Sequence, residues 1–365
     1  MGRYTMAIKG YLNRSAPGYL IFFVTPVCDC RCKMCFYLDA IENAKNRKVL
    51  TLDEIRRFAQ NFPGLHQVNF SGGEPFLRDD FSEIPELFYR YSGTRGFTCP
   101  TNSSHPDRIE EGVRRICMTC PEGWVRISQS VDAVGEKHDA IRRKNGLFEK
   151  VLETNRRLER LSRDLPNLSV SISTVFSYYN QEDAYELLDF VYENLAFSDY
   201  GVGFVRGDVK DPQAKDVEIK SYLAFQKEAL RRPRRGGRGD LASRVFTAVN
   251  RTVRHYVMRT IEEDRYLLPC QAGRRMVVVD DEGRVLPCEI LGEKIRQGAS
   301  RLDSPVLGNL REFDYDIRKV LAGDRAQRAV KDIVTSKCYC TFECAWAVNV
   351  IYTPAAWPRI VANLF

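Results

Sequence analysis

The sequence predicts an α/β protein: a partial parallel (β/α)6 TIM-like barrel followed by a small C-terminal α+β unit. Three observations predict it. The first apolar run, Tyr19-Leu-Ile-Phe-Phe-Val24, is unbroken, as in a strand buried on both faces. Apolar runs then alternate with helix-length segments about six times, the order of a parallel sheet with crossover helices. After Gly207 the alternation stops and another pattern takes over. About six units fall short of the eight of a closed barrel.

The elements follow in order. Thr51 and Glu54 are spaced as a capping box and open a helix running to Phe62. Residues 67–71 form the second strand, which ends in Gly72-Gly73-Glu74-Pro75. Four helix and strand pairs come next: 81–91 with 96–101, 107–118 with 124–130, 146–162 with 168–175, and 182–194 with 200–206. Helices over 220–232 and 241–264 flank a basic run at 231–238, which lacks aromatics, is rich in Gly and Pro, and reads as a solvated loop. Residues 276–280 and 284–288 form a hairpin with Gly283 in its turn. The predicted organisation is a barrel over 1–210, a helical connection over 211–263, and a separate small domain over 264–365.

A chain of 365 residues and 42.0 kDa suits one large domain and a smaller one. Its apolar runs are too short to span a bilayer, and its first residues lack a signal-peptide core. The expectation is a cytoplasmic protein. There, twelve cysteines read as metal ligands or buried thiols rather than disulfides. The net charge of +7 is concentrated in the basic run, so no nucleic-acid partner is expected.

Cys28, Cys32 and Cys35 follow the first strand in the spacing C-x3-C-x2-C. Three soft thiolates this close suit three irons of a four-iron cluster and leave the fourth iron open; a thiolate zinc site is the alternative for the triplet alone. Gly72-Gly73-Glu74-Pro75 stands at the next strand's end, and adjacent glycines let a backbone approach a ligand closely. Together these motifs resemble the radical S-adenosylmethionine (SAM) superfamily. The resemblance implies that Cys28, Cys32 and Cys35 hold a [4Fe-4S] cluster, that its open iron takes SAM, and that Gly72, Gly73, Glu74 and Pro75 form the segment binding the SAM amino group, with Glu74 bracing the loop. Met34 stands where the superfamily often has an aromatic. Cys30 falls outside the spacing and is expected to be a bystander.

Ser130-Val-Asp132 with His138-Asp139-Ala-Ile-Arg142 is similar to a further superfamily segment, which implies SAM contacts for Ser130 and Arg142. For Arg142 a surface ion pair is the alternative; His138 reads as structural and Asp132 as a helix cap. Asn102 sits where the superfamily often has Thr-Asn-Gly, but Ser103 replaces the glycine. Thr174, Arg206 and Tyr37 are candidates for substrate contact by position alone. Cys99, Cys117 and Cys120 read as buried thiols, and the four histidines show no metal spacing.

The second cysteine set is Cys270, Cys288, Cys338, Cys340 and Cys344. Cys270, Gly283 and Cys288 resemble the C-x(9–15)-G-x4-C signature of the twitch and SPASM subfamilies, and Cys340 with Cys344 resembles the C-x3-C that ends it. About three cysteines of the full SPASM pattern are absent. The resemblance therefore implies a twitch domain with one auxiliary [4Fe-4S] cluster on Cys270, Cys288, Cys344 and either Cys340 or Cys338. A structural zinc remains the alternative, since four thiolates suit it equally.

The implied activity is reductive cleavage of SAM to a 5′-deoxyadenosyl radical, which abstracts hydrogen from the substrate. The reading is an oxidation of a small molecule (a sugar, cyclitol or nucleoside), with the auxiliary cluster as electron acceptor and a flavodoxin- or ferredoxin-type donor. A maturase acting on a ribosomally made peptide is the alternative. A two-cluster electron-transfer protein is the non-enzymatic one, and it gives no role to Gly72-Gly73-Glu74-Pro75.

Overall fold

A computed structural model of the chain describes residues 16–233 and 241–364, with the backbone alone at 241–243. Residues 234–238 of the basic run lie outside the described residues. Nine strands form one sheet in the order β6-β5-β4-β3-β2-β1-β7-β8-β9. β1 (Tyr19–Thr25), β2 (Gln67–Gly72), β3 (Gly96–Thr101), β4 (Trp124–Ser130), β5 (Leu168–Phe176) and β6 (Asp199–Phe204) are parallel and lie in chain order. The sheet is open, with β6 and β9 at its edges.

The continuous apolar run of β1 is explained by what covers it. Leu20, Phe22 and Val24 join the cluster beneath the outer helices, while Ile21 and Phe23 pack with Cys270, Cys288, Phe342 and Ala345 on the other face. Each such large side chain contributes roughly 1.5–3 kcal/mol by leaving water. The helix Leu52–Gln60 begins with the capping box read from the sequence. The Glu54 N–H donates to Thr51 Oγ1 at 3.2 Å, and the Thr51 N–H donates to Glu54 Oε2 at 2.9 Å. Its buried residues Ile55, Phe58 and Ala59 face β1.

Residues 81–91 are not one helix. A 3-10 turn (Phe81–Glu83), a short α segment (Ile84–Leu87) and a π turn (Phe88–Ser92) succeed one another, and Gly93 ends them at φ 74°. Pro85 is the cause at the front: it has no N–H to bond backward, so an α segment can only start there.

The C-terminal hairpin is present, but it extends the barrel's own sheet. β7 (Met276–Val279) pairs in parallel with β1, Tyr19 opposite Met276 and Phe22 opposite Val279. β8 (Arg284–Leu286) pairs antiparallel with β7, Gly283 turns between them at φ 82°, and β9 (Gly308–Asn309) completes the edge. The region expected to form a separate small domain thus shares a sheet with the barrel strands. β2 occupies one edge of β1, and the fully buried Met-Val-Val-Val strand satisfies the other.

Away from the outer helices, the sheet faces a lumen. Strand register aligns Asn69, Thr98, Arg126 and Ser169 across it. Further along come Ser128, Ser171 and Asp199, then Ser130, Ser173 and Gly201, then Val175 beside Gly203. On β4 to β6 this face is therefore mostly serine and glycine, unlike the branched apolar layers that fill a closed barrel. The helix Glu343–Tyr352 covers the β1 side through Ala345 and Val348, and its Trp346 stacks on Tyr256 of the helix Leu241–Glu263.

Candidate active site

The cysteine loop leaves β1 and is held by backbone. The Arg31 N–H donates to the Arg142 carbonyl at 3.2 Å, and the Lys33 N–H to the Ile141 carbonyl at 3.0 Å. Both carbonyls belong to the last turn of the helix Glu136–Arg142. Arg31 Nη1 donates to the Cys28 carbonyl at 2.7 Å and the Cys30 carbonyl at 2.9 Å.

Asp29 anchors the loop, a role sequence reasoning missed. It accepts from Asn102 Nδ2 at 2.8 Å and Lys144 Nζ at 2.9 Å, and His105 Nε2 lies 2.9 Å away. Burial pushes its carboxyl up, but hydrogen bonds from Lys144, Ser104 and Asn102 outweigh burial and hold it at about 2. Its ligand atom lies within 4.8 Å of those of Cys28 and Cys30. Its oxygens are engaged by these donors, so the carboxylate positions the loop rather than binding a metal. Its partners lie more than seventy positions away in sequence, and no local signal pairs them.

Cys28, Cys32 and Cys35 lie in one packed cluster with Cys30. Burial raises the Cys35 thiol to about 12, with the charges of Cys32 and Cys28 adding to it. Cys32 is pulled down to about 7, first by a hydrogen bond from Cys30, against burial, and then by the Arg142 cation. Arg142 Nη1 lies 3.7 Å from Cys32 Sγ. Cys30 is not set apart from the others: it is buried, and Asn102 Nδ2 donates to its sulfur at 3.2 Å.

Arg142 is held by Asp132, which accepts from its Nε and Nη2 at 2.6 Å each. Asp132 also accepts from the Val175 N–H at 2.9 Å. Asp132 is therefore not a helix cap; Gly135 holds the N-cap position of the helix Glu136–Arg142. His138 is fully buried, and its Nδ1 accepts from the Asp132 N–H at 3.1 Å. Ser130 is half-buried on the lumen face beside Ser173.

The glycines of the next motif are needed for a close approach within the chain. A Cβ on Gly72, at φ 114°, would meet the Thr25 carbonyl oxygen at 2.4 Å, and one on Gly73 would meet the Val27 carbonyl oxygen at 2.1 Å. The Gly73 and Glu74 N–H groups donate to those two carbonyls at 2.7 and 2.8 Å. The close neighbour is thus the chain leading into Cys28. Glu74 braces the site: it is 2% exposed and accepts from the Asn102 N–H at 2.6 Å, Thr101 Oγ1 at 3.0 Å and the Phe76 N–H at 3.3 Å. Burial raises it to about 7 against those bonds. Pro75 opens the 3-10 turn Pro75–Leu77 that follows.

Asn102 is placed among Asp29, Cys28 and Cys30 despite Ser103. Ser103 adopts φ 67°, the left-handed conformation glycine would take, and its hydroxyl accepts from Gln129 Nε2 at 2.9 Å. The residue type departs from the resemblance while the backbone does not. Two other candidates are engaged within the fold. Thr174 is buried and donates to the Val131 carbonyl at 2.5 Å. Tyr37 donates to Asp281, which also binds Arg47 Nε at 2.7 Å.

Cys270 and Cys288 are buried, and Cys338, Cys340 and Cys344 are half-buried. Burial raises Cys288, and its next influences are Cys270, Cys340 and Cys338. Cys344 is raised to about 12 by burial and then by Glu289; Asn69 Nδ2 lies 3.9 Å from its sulfur. Cys270, Cys288, Cys338 and Cys340 thus neighbour one another, and Cys344 faces β2. Among the described residues no three of these five thiols have sulfurs within 4.8 Å of one another. A tetrahedral zinc at about 2.3 Å from each sulfur needs them about 3.8 Å apart. Cys99, Cys117 and Cys120 are buried elsewhere, among the outer apolar residues.

The profile described as "Radical SAM superfamily" matches residues 22–191. The GTP 3',8-cyclase of Marinobacter nauticus is 32% identical over 176 residues, covering 47% of this chain and 49% of that protein. Human molybdenum cofactor biosynthesis protein 1 is 29% identical over 138 residues, covering 37% of this chain and 21% of that protein. The chain therefore spans about half or less of these relatives. Among solved structures, Streptococcus suis SuiB bound to S-adenosylmethionine superimposes with a TM-score of 0.59 at 16% identity, covering 90% of this chain and 70% of that one. The structure of anSMEcpe with bound AdoMet gives 0.57 at 14%, covering 95% and 96%. No helix among the described residues is long and apolar enough to cross a membrane. The profile match, the open parallel sheet and the cysteine loop at the end of β1 agree: this protein carries a radical SAM domain over residues 22–191.

Proposed function

We propose that the protein is a radical SAM enzyme acting on a small molecule. The observation that carries this is the clustering of Cys28, Cys32 and Cys35, with Arg142 at Cys32 and the Gly72-Gly73-Glu74-Pro75 segment bonded to the chain leading into it. These residues fit the implied groups. Three thiols lie in one packed cluster with a cation 3.7 Å from one of them, as thiolate ligands require. Bound there, a four-iron cluster and SAM supply the chemistry, reductive cleavage of SAM leading to removal of a hydrogen from an unactivated carbon.

The chain's own residues do the rest. Arg142, locked by Asp132, offsets negative charge on Cys32. Asp29 and Glu74, tied through Asn102, fix the cysteine loop against the ends of β2 and β3. Cys270, Cys288, Cys344 and either Cys340 or Cys338 would hold an auxiliary cluster, which would accept the electron of a net oxidation; Ser130 borders the lumen where SAM and substrate would meet. The curated relatives named GTP 3',8-cyclase support a small-molecule substrate over a peptide. The test is anaerobic: reconstituted protein with a strong reductant converts SAM to 5′-deoxyadenosine, and Cys28→Ala, Cys32→Ala and Cys35→Ala each abolish it. Retention of cleavage in all three variants would sink the assignment.

A further inference from the structure

We propose that Arg206, Glu289 and Glu343 select the substrate's charge, admitting hydroxyl- or amine-bearing ligands and rejecting phosphorylated ones. This rests on the proposed function and narrows it. Arg206 lies just beyond β6. Its Nη1 is 3.4 Å from Glu343 Oε2 and its Nη2 is 3.5 Å from Glu289 Oε2. Both are long for a charge-assisted hydrogen bond, which closes to about 2.7–2.9 Å. Its Nε is buried with no hydrogen-bond partner. A guanidinium has five donors to place, and these contacts leave it under-used.

The location is equally specific. The guanidinium lies 4.4 Å from the centre of the Phe342 ring and 5.6 Å from that of Phe36. Phe36 follows Cys35, Glu289 follows Cys288, and Phe342 and Glu343 lie between Cys340 and Cys344. The three charged groups therefore sit between the two cysteine sets. They also border the lumen: a Cβ on Gly203 would lie 3.5 Å from Glu343 Oε1 and 3.8 Å from Arg206 Nη1. The Phe204 N–H donates to the same Glu343 oxygen at 3.2 Å.

The charge balance decides the ligand. Two carboxylates face one guanidinium, and the Glu289 side chain is 5% exposed. A phosphate brings about −1.5 to −2 charge, and placing it beside two acids adds like-charge repulsion. Hydroxyls can accept from the spare Arg206 donors and donate to the acids, and an amine pairs with either acid. The remaining charged side chains on the lumen face of β2 to β6 are Arg126 and Asp199, which pair with each other at 3.5 Å. The other lumen residues of β4 to β6 are serine, glycine and one valine, apart from Trp124 at the start of β4.

Calorimetry on SAM-loaded, anaerobically reconstituted full chain tests this with matched probes: glucose against glucose 6-phosphate, and guanosine against GTP. The unphosphorylated member of at least one pair is expected to bind at least about ten-fold tighter. Glu289→Gln with Glu343→Gln should bring that ratio within about three-fold. If the pair of changes prevents folding, Glu343→Gln alone, the more exposed acid, is read the same way. Equal or tighter binding of the phosphorylated member in both pairs overturns the proposal, as does an unchanged ratio in the variant or no binding by any probe. Cleavage of SAM by the wild-type preparation separates the two failures. If it cleaves SAM yet prefers phosphates, only this inference falls; if it does not cleave SAM, the proposed function falls first.

Discussion

Arg142→Leu asks whether the guanidinium is first of all the partner of Asp132. The Asp132 side chain is 0% exposed and that of Arg142 is 11% exposed, with two nitrogens at 2.6 Å from one carboxylate oxygen. Removing one member of a buried pair costs about 3–5 kcal/mol, because the other charge is left uncompensated. The Val175 N–H still donates to Asp132 at 2.9 Å, which places the expectation at the lower end, about 3 kcal/mol. Asp132→Asn in the same chain removes the stranded charge, and the double-mutant cycle should show a coupling of about 2 kcal/mol. Urea unfolding of the cluster-free protein under reducing conditions measures both, so iron and SAM take no part. A single-variant cost below about 1 kcal/mol, or additivity across the cycle, would refute the reasoning and leave Arg142 as a ligand contact only.

Three further outcomes follow. Reconstituted protein should carry about eight irons and eight sulfides, and replacing Cys28, Cys32 and Cys35 together should remove about half; a count of about four irons with one zinc would give the second site to zinc. His138 is held down to about 3 by burial, with the Arg142 charge adding to it, so its folded value lies below the unfolded 6.5 and its contribution is complete above pH 6.5 and lost as pH falls toward 3. Between pH 7.5 and pH 5 that amounts to about 2 kcal/mol in the apo protein, and His138→Gln should flatten the slope by that amount; an unchanged slope in the variant contradicts it. At Ser103, Ala should cost about 1–2 kcal/mol through the lost Gln129 bond, and Gly should be near neutral because relief at φ 67° offsets that loss; thermal melts showing Ala at least as stable as Gly would exclude strain there.

Local pattern made the barrel legible. The six parallel strands lie within two residues of the expected bounds because each is an apolar or alternating run between turn residues. The capping box was legible because both of its members are local in sequence. The pairing of β7 with β1 was not, since it joins residues some 257 positions apart and no local feature announces it. The same limit hid Asp29, whose donors come from the end of β3 and from the residues after the helix Glu136–Arg142. Arg206 was picked out by position at a strand end; the two acids that give it meaning lie 83 and 137 residues away. The choice between Cys338 and Cys340 was not legible either: both act on Cys288, and spacing alone does not rank them.

The pairing of β1 with β7 also has a consequence in time. A ribosome delivers β1 and β2 early, but the strand that closes the second edge of β1 ends at Val279. At roughly 5–20 residues per second, that edge waits on the order of 10–40 s for its partner. Through that interval a flat apolar strand stands with one side unpaired, the arrangement most prone to recruit a neighbouring chain. The nascent protein is therefore at its most vulnerable after its radical SAM segment is made and before its C-terminal hairpin arrives. Shortening the chain before Met276 should yield aggregation rather than a smaller working barrel.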